Sequence, residues 1–220
     1  MGIINPIPNP DQEIVMIIEV LPLGMLETNC YIAGNDAGDI YIIDPGADAQ
    51  EITSRINANS WTPKAILLTH AHFDHIGAVP EIAETYSIPV WLNPAEQSLY
   101  QSPKNAMPPW IPPTQNLPAT TNQLPEEAIV PNLPYKVLQT PGHTLGGVAF
   151  YFKEQGTCFS GDTLFCQSVG RTDLPGGDWD TLLHSIRGVL FKLPDATIIY
   201  PGHGPETSIG HEKQHNGFVK

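Results

Sequence analysis

Short apolar runs separated by glycine and proline shape the first part of the chain. Residues 14–21, 29–33 and 39–44 have the length and β-branched content of strands, and the last runs into Pro45-Gly46. Residues 47–57 carry apolar positions at helical spacing, and 65–69 form a compact apolar run that suits a buried strand. A second helical pattern covers 76–86, and another strand covers 90–92. After residue 135 strand patterns return at 136–139, 147–152, 157–160 and 197–200. Before the last of these lies a helix over 179–191, apolar at 179, 182, 183, 186, 189 and 190.

Between the two patterned stretches the chain changes character. Residues 101–134 hold nine prolines, including Pro108-Pro109 and Pro112-Pro113. No regular helix or central strand tolerates this, because each proline removes a backbone donor and fixes its own φ. The segment reads as a long loop carrying Met107 and Trp110, expected over or beside a functional cleft. Residues 1–13 read as a proline-containing lead-in and 14–220 as one domain carrying the 101–134 insert. Strands followed by helices on both sides of the insert suggest two β-rich halves packed face to face, with helices outside.

The chain has 220 residues, is 41% hydrophobic and carries a formal net charge of −13. That length buries a sizeable core without staples. Three cysteines, Cys30, Cys158 and Cys166, are an odd number at wide spacing, which favours a reducing, cytoplasmic setting over a disulfide framework. The first residues lack a basic stretch followed by an apolar one, as a secretory signal needs, and no apolar run is long enough to span a bilayer. Ten Lys and Arg, thinly spread, argue against a nucleic-acid-binding face. An acidic protein that handles an anion needs local positive charge, which metal ions supply.

The chemistry concentrates at Thr69-His70-Ala71-His72-Phe73-Asp74-His75, directly after an apolar strand. His70 and His72 point the same way from an extended segment, and a turn into a helix brings Asp74 and His75 round from another side. One loop thereby serves two ions. Imidazole and carboxylate suit zinc, iron or manganese alike. Three further candidates stand at glycine-marked strand ends: His143 in Pro141-Gly142-His143, Asp162 in Ser160-Gly161-Asp162-Thr163, and His203 in Pro201-Gly202-His203. Strand ends present side chains to a shared cleft, and glycine lets the backbone turn there.

This order of motifs resembles the metallo-β-lactamase-fold superfamily. The stretches Gly161-Asp162-Thr163-Leu164-Phe165 and Gly170-Arg171-Thr172-Asp173 are similar to its glyoxalase II-like, or hydroxyacylglutathione hydrolase-like, branch. The resemblance implies an αββα sandwich. It implies two divalent metal ions, zinc first, held by His70, His72 and His143 on one side and by Asp74, His75 and His203 on the other. Asp162 is then the bridge, Asp74 and Asp162 are the acidic groups at the reacting centre, and Asp44 orients a ligand or the nucleophilic water. Arg171 is the candidate for gripping a substrate carboxylate, competing with a structural pair to Asp173 or Asp44.

The implied reaction is hydrolysis of a small acyl thioester such as S-lactoylglutathione by a metal-bound hydroxide, with no protein nucleophile and no role for the cysteines. Full-length glyoxalase II enzymes carry a C-terminal helical region that holds glutathione, whereas seventeen residues follow His203 here. Weak substrate binding is the expected consequence. The alternatives are a mononuclear iron persulfide dioxygenase and, in another class, a metal-stabilised binding protein. A β-lactamase is a weaker reading, because a cysteine stands at the Asp162 position in the well-known zinc lactamases. Oligomeric state is left open.

Overall fold

The computed structural model describes residues 15–105 and 112–219. The lead-in, Met107 and Trp110 lie outside the described residues. Two main sheets are present. The first consists of β1 (Ile17–Leu23), β2 (Thr28–Gly34), β3 (Asp39–Ile43), β4 (Thr62–Leu67), β5 (Val90–Trp91) and β6 (Thr120–Thr121), paired in that order. The second contains β7 (Lys136–Gln139), β8 (Val148–Phe152), β9 (Thr157–Gly161), β12 (Ile198–Pro201) and β13 (Thr207–Ser208), in the order β13-β12-β9-β8-β7. A small hairpin of β10 (Leu164–Phe165) and β11 (Ser168–Val169) follows β9. The helices are α1 (Ala49–Ala58), α2 (Phe73–Ile76), α3 (Val79–Tyr86), α4 (Gln97–Tyr100), α5 (Trp179–Gly188) and α6 (Ile209–His215). Among the described residues no helix is long and apolar enough to cross a membrane.

The layering follows from side-chain alternation. On β3, Tyr41 and Ile43 join one apolar cluster while Ile40 and Ile42 join another. On β8, Val148, Phe150 and Phe152 face the first cluster, and Ala149 and Tyr151 face a third. The shared cluster lies between the sheets. The second receives Ile52 and Ile56 of α1 and Val79 and Ile82 of α3, and the third receives Leu182 and Ile186 of α5. The result is the αββα sandwich. Both faces of the central strands are covered, which is why they read as unbroken apolar runs. Truncating Phe150, fully buried between the sheets, costs about 3–5 kcal/mol on general grounds.

Two expectations need correction, and one stretch of the chain carried none. The helix expected over 76–86 is two helices, α2 and α3, separated at Gly77-Ala78. Pro80 stands in the first turn of α3, where its missing N–H is harmless; in a helix interior its ring would clash with the carbonyl of Ile76. The insert is more than a cover. Thr120–Thr121 extends the first sheet, and Ala128, Val130 and Leu133 enter the inter-sheet core. The C-terminal β13 and α6 also went unread in the sequence, being only two and seven residues long.

Strands β3 and β4 run parallel, as do β9 and β12. Loops leaving their carboxyl ends therefore gather at one edge of the sandwich, where ligands settle in open sheets of this kind. The sheets are joined there by Val148 N–H donating to Thr69 O at 2.9 Å and Asn29 N–H donating to Gly202 O at 2.8 Å.

Candidate metal centre

Four loops supply the site. The β4 exit carries His70 and His72 and enters α2 with Asp74 and His75; His143, Asp162 and His203 follow β7, β9 and β12. Ligand atoms of His70, His72 and His143 lie within 4.8 Å of one another, and so do those of Asp74, His75 and His203. His72 Nδ1 and His143 Nε2 approach to 2.9 Å. Asp162 stands between the two groups, with Oδ1 3.4 Å from His75 Nε2 and Oδ2 3.5 Å from His143 Nε2 and 3.6 Å from His203 Nε2. Gly202 is obligatory in this packing, since a Cβ on it would fall 2.1 Å from Asp162 Oδ1. The structure thus brings all seven predicted ligands together.

Each histidine is oriented from behind. His143 Nδ1 donates to Arg171 O at 2.7 Å and His203 Nδ1 to Leu26 O at 3.1 Å. Carbonyls only accept, so both rings carry a proton on Nδ1 and leave Nε2 for the inward side. His75 Nδ1 donates to Asp44 Oδ2 at 3.0 Å. Asp44 also receives the Thr69 N–H at 2.8 Å and the Thr69 hydroxyl at 2.6 Å. With its own proton committed to Asp44, Thr69 Oγ1 accepts from His70 Nδ1 at 3.1 Å. Asp44 therefore sets the tautomers of two ligands, one directly and one through Thr69. It does not cap α1, whose N-cap is Asp48.

The geometry fits metal ions. Buried polar groups are ordinarily hydrogen-bonded, yet His70 Nε2 is buried without a hydrogen bond, and His75 Nε2 and Asp162 Oδ1 face the same space with only a 3.4 Å contact between them. Electrostatics divide the two groups. Burial, then neighbouring histidines, push His70 well below the usual imidazole range. The same causes, partly offset by Asp74 and Asp162, push His72 down to about 4. Burial acts in that direction on His75 too, but Asp162, Asp74 and Asp44 outweigh it and hold His75 well above the range. His203 is likewise raised: burial lowers it, and the hydrogen bond to Asp74 and the charge of Asp162 prevail. Burial raises Asp74 and Asp162, but His75 above all outweighs it, and both carboxyls stay low.

For Arg171 the structure shows the pair with Asp173, the structural alternative to gripping a substrate carboxylate. Its guanidinium forms a two-pronged pair with Asp173, both contacts 2.7 Å, and its side chain is 53% exposed. What it demonstrably gives the site is its carbonyl, held against His143. Sequence reasoning also missed supporting residues. Glu96 is buried and accepts the N–H of Ala71 at 2.9 Å and that of Gly146 at 2.6 Å, fastening the two histidine loops together. Asn105, from the insert, donates to Ala71 O at 2.6 Å. Thr28 donates to Asp74 Oδ2 at 3.0 Å, and Asn29 Nδ2 holds the His203 loop through the carbonyls of Pro201 and Gly204. A polar Thr28-Asn29 pair at a strand start was the signal available for the last two.

A four-layer sandwich with two clusters of His and Asp side chains on one edge defines a metal-binding centre. The chain belongs to the metallo-beta-lactamase superfamily, whose family model matches residues 23–203. It is 36% identical to hydroxyacylglutathione hydrolase GloC of Haemophilus influenzae, over 93% of this chain and 98% of that one. Among solved structures, TTHA1623 in a di-iron-bound form superposes with a TM-score of 0.80 at 40% identity, covering 91% of this chain and 99% of that one. BLEG-1, a B3 metallo-beta-lactamase, superposes with a TM-score of 0.77 at 39% identity, covering 92% and 99%.

Proposed function

We propose that the protein is a two-metal hydrolase of small acyl thioesters, with S-lactoylglutathione as the first substrate to test. The observation that carries this reading is the pair of ligand triads with Asp162 between them, in a chain that matches a named hydroxyacylglutathione hydrolase nearly end to end. That match spans 98% of GloC, a hydrolase named for a glutathione thioester.

His70, His72 and His143 would hold one ion; Asp74, His75 and His203 the other; Asp162 both. Two such ions supply a nucleophile at neutral pH and steady the negative charge of the transition state. The protein's own groups then fix geometry: Asp44, Thr69 and the Arg171 and Leu26 carbonyls keep imidazole lone pairs aimed inward. A cavity of about 540 Å³ opens beside Asp74 and Thr28, lined by Leu23, Phe73, Pro112 and Pro113. Its size suits a small ligand, and its apolar wall suits the acyl group. We assign one side of this pocket to the insert. Arg171 is our candidate for a thiol-carrier carboxylate, released from Asp173 on binding. Arg171→Ala then raises KM more than it lowers kcat, and Arg171→Lys recovers only part because it lacks the planar fork.

Zinc is our first choice of metal; the di-iron form of TTHA1623 makes iron the second. The likeness to BLEG-1, a B3 metallo-beta-lactamase, supports a second reading, β-lactam hydrolysis. One experiment separates the readings: zinc-loaded and iron-loaded protein assayed in parallel for thioester loss, β-lactam opening and persulfide-dependent oxygen uptake. Thioester turnover exceeding the other two supports the proposal. Oxygen uptake or β-lactam opening without thioester cleavage overturns it.

A further inference from the structure

A second group of metal-ligating side chains lies apart from the centre described above, at the C-terminal helix. His211-Glu212-Lys213-Gln214-His215 spans most of α6 and places two histidines four residues apart, one helical turn. Their rings are 4.6 Å apart between centroids. The turn between β10 and β11 brings Cys166 to the same place: ligand atoms of Cys166, His211 and Glu212 all lie within 4.8 Å of one another.

Glu212 adds an independent indication. It is fully buried, and its hydrogen bonds come from neutral donors: the Thr207 hydroxyl at 2.6 Å, the Gln167 N–H at 2.9 Å and Asn216 Nδ2 at 2.8 Å. Among the described residues no Lys or Arg forms an ion pair with it. Buried carboxylates are usually paired with a cation or a metal. The group nearest to blocking His211 is the Gln167 amide, 3.2 Å from its Nε2, on an exposed side chain that can swing aside.

We propose that Cys166, His211 and His215, with Glu212 behind them, form a separate binding site for a thiophilic transition metal such as zinc. Thiolate and imidazole together select such ions over calcium or magnesium. The familiar hydrolytic reading of two histidines and a glutamate at this spacing does not apply, because Glu212 is pinned by three donors and cannot serve as a base. The ion's role is structural. It clamps the β10–β11 hairpin, which follows Asp162 and lays Phe165 against the His203 ring with centroids 6.2 Å apart, onto the last helix.

The test uses cobalt(II) titration of the metal-free full chain. Seven histidine and aspartate side chains surround the main centre, so a sulfur-to-cobalt charge-transfer absorption reports on the second site alone. Cys30 and Cys158 are buried in the core and out of reach. Wild type is expected to take up one more equivalent than Cys166→Ser and to show the sulfur band, which Cys166→Ser loses. His215→Ala, at an exposed position, is expected to raise the cobalt needed for half-saturation of that band about tenfold or more. Equal uptake by wild type and Cys166→Ser, no sulfur band, or a band unmoved by both variants would overturn the site.

Discussion

The Asp44→Asn variant probes the site through a single atom. Asp44 sits at φ 49°, a left-handed conformation that asparagine tolerates better than alanine, so the exchange perturbs chemistry and not backbone. The backbone N–H of Thr69 donates to Oδ1 and cannot reverse, so the amide oxygen must stay there and the NH₂ must take the place of Oδ2. That NH₂ then faces two former donors, the Thr69 hydroxyl and His75 Nδ1. His75 can accept only by moving its proton to Nε2, which removes its inward lone pair. The Thr69 hydroxyl can accept only by turning its own proton toward His70 Nδ1, with the same result there. Loss of an orienting partner costs about 10–100-fold in metal affinity, or about 1.4–2.7 kcal/mol. Here one atom reaches a ligand in each triad, so both ions are expected to weaken by that factor or more. Chelator competition measures it, and a circular dichroism spectrum matching wild type shows that the fold survives. Two metals held at wild-type affinity would refute the tautomer argument.

Further outcomes follow from the same geometry. Asp162→Asn keeps the shape between the triads and removes their shared charge, so bound metal and turnover are expected to fall together, read by elemental analysis and initial rates. Acidification is expected to empty the Asp74–His75–His203 group first. His75 and His203 titrate above the usual imidazole value in the metal-free protein and must shed protons to bind, whereas His70 and His72 are held below it and stay neutral. Metal retention followed from about pH 7 to 5 checks the order; loss from the other group first would contradict it. Glu96→Gln sets an amide NH₂ against one of two buried N–H groups, at Ala71 or Gly146, and is expected to cost about 1–3 kcal/mol in urea unfolding.

The sequence made the ligands legible because four of them share one loop and the other three stand beside glycines at strand ends. The sandwich was legible because strands covered on both faces leave continuous apolar runs. Other features depend on distance in the chain. Glu96 lies 25 residues from Ala71 and 50 from Gly146, so nothing local marks it as their common acceptor. Asn105 reaches back 34 residues in the same way. In residues 101–134 the density of prolines masked a two-residue edge strand and three core side chains. Thr69 looked like the last residue of a strand, and only the Asp44 and His70 contacts show that it relays orientation.

The central claim is that two ions act together on a thioester. The direct test reconstitutes metal-free Cys166→Ser protein with zinc in steps and follows S-lactoylglutathione cleavage at each step; the variant keeps the proposed peripheral ion out of the count. The account predicts little turnover at one equivalent, a rise to the second and a plateau beyond it. Full activity at one equivalent, or no cleavage at any loading, would contradict it.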